Sequence, residues 1–159
     1  MHRTMTRIAL PLAVATICAS VVALASLAQV DSAHSGESET RTLASDDSYR
    51  LELELPAAVA KGSEGVAFVT IAAKAGWHVN QDFPTKLTID APDGVEVDKA
   101  VQRADDAVKL TDHEARFAIK YTATSAGTKA FGGSVKFAVC TDDTCDPKRV
   151  KLAFKVDVQ

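Results

Sequence analysis

From Tyr49 onward, apolar and polar residues trade places with a period of two, and that period restricts the chain to half-buried β-strands. Leu51, Leu53 and Leu55 alternate with Glu52 and Glu54. Val66, Phe68 and Thr70 follow the Lys61-Gly62-Ser63-Glu64-Gly65 turn, and Leu87 and Ile89 precede the Ala91-Pro92-Asp93-Gly94 turn. Val95 and Val97, then Phe117, Ile119 and Tyr121, then Val135, Phe137 and Val139 repeat the pattern. Val150, Leu152, Phe154, Val156 and Val158 close it. Residues 99–112 leave room for a helical turn, but no sustained apolar stripe of helical period runs anywhere in this region. Short alternating strands punctuated by Gly, Pro and Asp predict an all-β, antiparallel sandwich of about seven to nine strands. At 159 residues the chain has enough length for one such core.

The last two strands allow a register to be written down. If Thr141, Asp142, Asp143 and Thr144 form a four-residue loop, Cys140 faces Cys145, Val135 faces Val150, Phe131 faces Phe154 and Phe137 faces Lys148. Most of the large apolar side chains then share one face. The two cysteines fall on the other, wetter face with Ala138, Pro147 and Arg149. Opposed residues bring their Cα atoms to about 4.5–5.5 Å, which a disulfide tolerates. Gly132-Gly133 lies inside this strand pattern and reads as a bulge or bend.

The first residues do not share the alternation. Arg3 and Arg7 precede an uncharged Ala-, Leu- and Val-rich run from Ile8 to Ala28, which ends in small-residue exits. Residues 1–28 read as a signal peptide cut after Ala28, with an uncleaved membrane anchor as the rival reading. Export to the periplasm is expected, or a secreted or anchored form if the signal is handled otherwise. Residues 29–47 are polar and turn-prone and read as a flexible leader, so the domain itself is expected over 48–159. Loss of Arg3 and Arg7 leaves sixteen basic against twenty-one acidic side chains, a net charge of −5. The charge is spread along the chain with no basic stripe, so neither a nucleic acid nor insertion in a membrane is expected.

Cleavage also removes Cys18 and leaves Cys140 and Cys145 as an even pair, which an oxidising compartment turns into a disulfide. Closing so short a loop removes little chain entropy, about 2 kcal/mol. The pair therefore reads either as a local staple or as a reagent. Asp142, Asp143 and Asp146 oppose thiolate formation while Lys148 and Arg149 favour it, which describes a disulfide that waits for an outside thiolate.

The segment 135–147, Val-Lys-Phe-Ala-Val-Cys-Thr-Asp-Asp-Thr-Cys-Asp-Pro, followed by a strand, resembles the cysteine hairpin in the amino-terminal domain of the thiol:disulfide interchange protein DsbD family. Gly76-Trp77-His78-Val79-Asn80 and Pro84-Thr85-Lys86-Leu87 resemble segments of the same family. The spacing between the cysteines is one residue shorter than in the best-known members, and Asp146 stands where an aromatic is common. The resemblance spans roughly Tyr49 to Val158 and implies an immunoglobulin-like sandwich in the periplasm. It implies that Cys140 and Cys145 are a redox pair passing electrons between protein partners, a membrane thiol transporter and thioredoxin-like proteins. Pro147 matches the proline after the second cysteine. The other members of the relay would then be separate proteins.

His78 and Asn80 share a parity opposite to Trp77 and Val79, which makes them either a lip over the cysteine site or a polar face beside a packed Trp. His113, in the Thr111-Asp112-His113-Glu114 turn, reads as solvated. A lone cysteine pair without spaced companions is a weak zinc signal, and no mature-chain Met or His cluster suggests copper. No Gly-x-Ser-x-Gly elbow or nucleophile–base pair suggests a hydrolase. Neither metal nor cofactor is expected. The sequence thus supports a monomeric thiol–disulfide exchange domain, a possible protein thiol–disulfide oxidoreductase. Its rival is a non-catalytic exported β-sandwich that binds or scaffolds and carries a structural disulfide.

Overall fold

Strand pairing begins earlier than the alternation does. The computed structural model describes residues 38–159; the expected signal peptide, 1–28, and its cleavage after Ala28 lie outside the described residues. In chain order these residues form β1 (Glu39–Ser45), β2 (Tyr49–Leu55), β3 (Glu64–Ala73), β4 (His78–Val79), β5 (Lys86–Asp90) and β6 (Val95–Val97). Then come β7 (Val101–Arg103), a 3-10 turn at Ala104–Asp106, β8 (Lys109–Leu110), β9 (Glu114–Ala123), β10 (Gly127–Cys140) and β11 (Cys145–Val158). One sheet runs β1-β2-β3-β9-β6, with β8 also on β9. The other runs β11-β10-β5-β7, with β4 on the end of β10. Every strand pair in the two sheets is antiparallel. The fold is the all-β, antiparallel sandwich that the alternation indicated, and its two antiparallel sheets fit the immunoglobulin-like form that the resemblance implied.

The core lies between the sheets. Leu51, Leu53, Phe117, Ile119 and Tyr121 from the first sheet meet Leu87, Val135, Phe137 and Val139 from the second, all at 0 % exposure. Aromatic contacts tie the layers together, Tyr49 to Phe137 at 5.0 Å and Tyr121 to Phe131 at 5.2 Å, both edge-on. The hairpin of β10 and β11 has the register written from the sequence, with Val135 opposite Val150, Phe131 opposite Phe154 and Phe137 opposite Lys148.

Four expectations are corrected. The eleven strands exceed seven to nine, because β4 and β8 are two residues long and too short to show a period. Part of the expected leader, 29–47, is structured: β1 pairs along β2 with a register shift between Thr42 and Ala44. Its residues are polar because it is an edge strand with one partner. Strand β3 turns Ala67, Val69 and Ile71 into the core rather than Val66 and Phe68, while Thr70, on the same face as those two, is buried as well. Residues on both of its faces are apolar, so alternation does not choose between them. Phe68 lies on the outer face, where the Arg116 guanidinium sits 4.0 Å from its ring centroid and pairs with Glu54 at 2.7 Å. Finally, Gly132-Gly133 makes no bulge against β11, since the pairing runs one to one through it. Gly133 instead has φ 151° and lies so close to β5 that a Cβ there would stand 2.2 Å from the Thr88 carbonyl oxygen.

Charge is also redistributed by folding. The chain has no basic run, yet Arg149 of β11 pairs with Lys136 of β10, Lys136 with Lys86 of β5, and Lys86 with Arg103 of β7. These four cations form one row across the outer face of the second sheet. The basic stripe that the sequence lacks is assembled from four strands.

Candidate functional site

The loop between β10 and β11 is self-supporting. The Thr141 hydroxyl oxygen accepts hydrogen bonds from the backbone N–H groups of Asp143 and Thr144, both at 3.2 Å, and the Thr141 N–H donates to the Thr144 carbonyl at 2.8 Å. This tight turn sets Cys140 directly opposite Cys145. Their sulfurs are bonded, with the Cα atoms 4.0 Å apart, a little closer than the strand spacing suggested. The disulfide expected from the cysteine count is therefore present.

Its two sulfurs do not share one environment. Cys145 is exposed, whereas Cys140 is 3 % exposed and Ala138 1 %. The sequence placed both cysteines on a wetter face; for Cys140 that is corrected. The reason is β4, which pairs with the end of β10 so that Cys140 has Cys145 on one side and His78 on the other. The chain after β4 is pinned there by the Asn80 N–H, which donates to the Ala138 carbonyl at 3.0 Å.

The Asn80 side chain is held at both ends. Its carbonyl oxygen accepts from the backbone N–H groups of Asp82 and Phe83, each at 3.0 Å. That leaves its amide nitrogen aimed at the disulfide, 3.4 Å from the Cys140 sulfur and 3.7 Å from that of Cys145. His78, Asn80, Gln81, Asp82, Asp112 and the two cysteines line one open cleft of about 340 Å³. Pro147 lies outside it, exposed, opposite Ala138 in the next row of the hairpin. His113 is exposed on its turn.

Asp112 reaches the cleft through contacts that no local pattern reveals. Its carbonyl accepts from the Val79 N–H at 2.8 Å, and its carboxylate accepts from the Gln81 side chain at 2.7 Å. Both contacts join residues more than thirty positions apart, so the local sequence shows only an Asp in a turn.

The sequence makes Lys148 a cation that favours a thiolate, but its charge is engaged elsewhere. Its ammonium lies 2.6 Å from Asp146 and 2.7 Å from Asp46, and hydrogen bonds to those two carboxylates raise its pKa. Burial of Asp46 would raise that carboxyl, but hydrogen bonds from Lys148, from the Ser48 hydroxyl and N–H, and from the Tyr49 N–H outweigh it and hold the group well below the usual carboxylate range. This cluster clamps the turn between β1 and β2 to β11. The sulfurs are left with acids nearby and one neutral amide donor.

No family model matches the chain, and no curated protein sequence matches it. Among solved structures, the GAE domain of yeast GGA1 matches with a TM-score of 0.45 at 9% identity, over 73% of this chain and 98% of that one. The GAE domain of GGA2p from Saccharomyces cerevisiae matches at TM-score 0.37 and 8% identity, over 73% and 97%. AggA, the major subunit of aggregative adherence fimbriae type I from Escherichia coli, matches at TM-score 0.30 and 10% identity, over 77% and 95%. All three scores are low, and the two-sheet architecture stands on the strand pairing of this chain itself.

Proposed function

We propose that the chain is a thiol–disulfide exchange domain of the periplasm, passing electrons between protein partners through Cys140 and Cys145. The observation that carries this reading is the asymmetry of the disulfide: one sulfur open to an incoming thiol, its partner buried against an amide donor. The hairpin's resemblance to the DsbD amino-terminal domain supports the same chemistry.

A thiolate of a partner dithiol attacks the Cys145 sulfur, a new intermolecular S–S bond forms, and the Cys140–Cys145 bond breaks. The electron pair of the broken bond leaves on the Cys140 sulfur, where the Asn80 N–H can donate to it and a proton can then be taken up. The second thiolate of the partner attacks its own disulfide-linked sulfur and releases Cys145. The domain ends as a dithiol and the partner as a disulfide.

A Cys140→Ser variant keeps Cys145 free and is expected to accumulate a mixed disulfide with a thioredoxin-like partner, while Cys145→Ser is not. A reduction potential in the range of redox-active pairs is expected. A potential below about −300 mV, as structural disulfides have, together with no mixed disulfide, would refute the exchange reading. That result would favour the second reading, a binding or scaffolding sandwich with a local staple.

A further inference from the structure

The outer face of the second sheet carries charge that the rest of the domain does not predict. Along its outward positions stand Arg149, Lys151 and Lys155 on β11, Lys136 on β10, Lys86 on β5 and Arg103 on β7. The only acids on those positions are Asp90 and Asp157, while the chain as a whole has a net charge of −3. Arg149, Lys136, Lys86 and Arg103 are mutually opposed, each within one strand spacing of the next, about 5 Å. Among the described residues none of the four forms an ion pair. Lys136 lies over the Phe83 ring at 5.2 Å, and Asp106 lies near Arg103 at the far end.

Like charges placed directly opposite one another destabilise a sheet, so a row of four is costly to the fold alone. It is also well placed. Arg149 and Cys145 lie on the same face of β11, four residues apart, which at strand rise is about 14 Å. The row itself, three strand gaps long, spans about the same distance.

We infer that this row docks an acidic protein surface, a partner whose carboxylates lie about 14–20 Å from the thiol that meets Cys145. The inference rests on the exchange reading and names the chemistry of its partner. A shared face with the open sulfur is what selects a protein over an anionic membrane, and the exposed apolar residues beside the row are small, with Val101 at 39 % the largest. An opposing acidic patch would gather the partner at low ionic strength and fix its orientation over the sulfur.

The test uses two peptides, Cys-Gly-Ser-Gly-Ser-(Glu)4 and the same sequence ending in (Lys)4, with the oxidised protein and with a variant carrying Lys86→Ser, Arg103→Ser, Lys136→Ser and Arg149→Ser. The Glu peptide is expected to react at least about tenfold faster than the Lys peptide at low salt. The ratio should collapse towards one in 0.5 M salt and in the variant. Equal rates on the unaltered protein at low salt overturn the docking surface. A fluorescein-labelled Glu peptide without cysteine reads docking apart from chemistry. If it binds in preference to its Lys counterpart while no thiol reacts, the row stands and the exchange reading falls. If thiols react but neither peptide is preferred, exchange stands and the row falls. Phosphatidylglycerol vesicles that retain the unaltered protein but not the variant, with no preference between peptides, assign the row to a membrane and overturn the protein partner.

Discussion

The side-chain amide nitrogen of Asn80 lies 3.4 Å from the sulfur of Cys140, across sixty residues of sequence. Because the oxygen end of that amide is held by two backbone N–H groups of its own loop, the nitrogen end has one orientation available. A short-range turn thereby fixes a long-range donor onto the buried sulfur.

Asn80→Asp keeps the oxygen that caps the loop but replaces the donor with a carboxylate, which disfavours a thiolate beside it. It is expected to slow reduction by glutathione by about fivefold or more, equivalent to about 1 kcal/mol for one lost hydrogen bond. Its thermal stability should be close to that of the unaltered protein. Asn80→Ala should slow the reaction and also destabilise the domain by about 1 kcal/mol, since the Asp82 and Phe83 N–H groups lose their acceptor. An Asp variant that reacts at the original rate would show that the amide does not act on the sulfur.

Exposure separates the two thiols of the reduced protein. Alkylation by iodoacetamide, followed by peptide mapping, is expected to modify Cys145 at least about tenfold faster than Cys140, because the reagent must reach the sulfur it attacks.

Tyr121 has a hydroxyl that is buried without a hydrogen-bond partner among the described residues, and burial pushes its pKa up to about 12. Removing an unsatisfied buried group relieves its desolvation penalty, so Tyr121→Phe should stabilise the domain by about 1 kcal/mol in urea titration. Gly65 faces the same ring, and a Cβ there would stand 2.5 Å from it. Gly65→Ala is expected to destabilise by about 1–3 kcal/mol through overpacking.

The Asp46–Lys148–Asp146 cluster makes stability depend on acid. Asp46 has a folded-state pKa below its unfolded value, so its contribution is present above the unfolded pKa, about 4, and is lost as pH falls through the lower folded value. Asp46→Asn should therefore be less stable at pH 7, by about 1 kcal/mol or less given the partial exposure of the pair. The difference should narrow steadily below about pH 4. Urea unfolding at pH 7, 4 and 2.5 checks both points.

Lys136 stands between Arg149 and Lys86. Lys136→Glu turns two like-charge pairs into opposite-charge pairs and is expected to stabilise the sheet by about 0.5–1.5 kcal/mol, less in high salt. A loss of stability would show that the row is not under repulsion.

What the sequence alone determined is what neighbouring residues decide. Alternation with turn residues at short intervals specifies antiparallel strands and a sandwich, and a four-residue loop with like parities on both sides sets the register of β10 against β11 and brings Cys140 to Cys145. These are local: each follows from which way consecutive side chains point and how far a short loop reaches. The tertiary structure decided the rest. Strand β3, apolar on both faces, took its orientation from the sheets around it. The polar strand β1 formed because β2 offered an edge. Cys140 became buried because β4, sixty residues away, paired beside it, and Asn80 and Asp112 came to the cleft by contacts across long loops. Four single cations, unremarkable along the chain, became one row only when four strands lined up. Pairings between distant strands depend on the whole sheet's arrangement, so no window of sequence contains them.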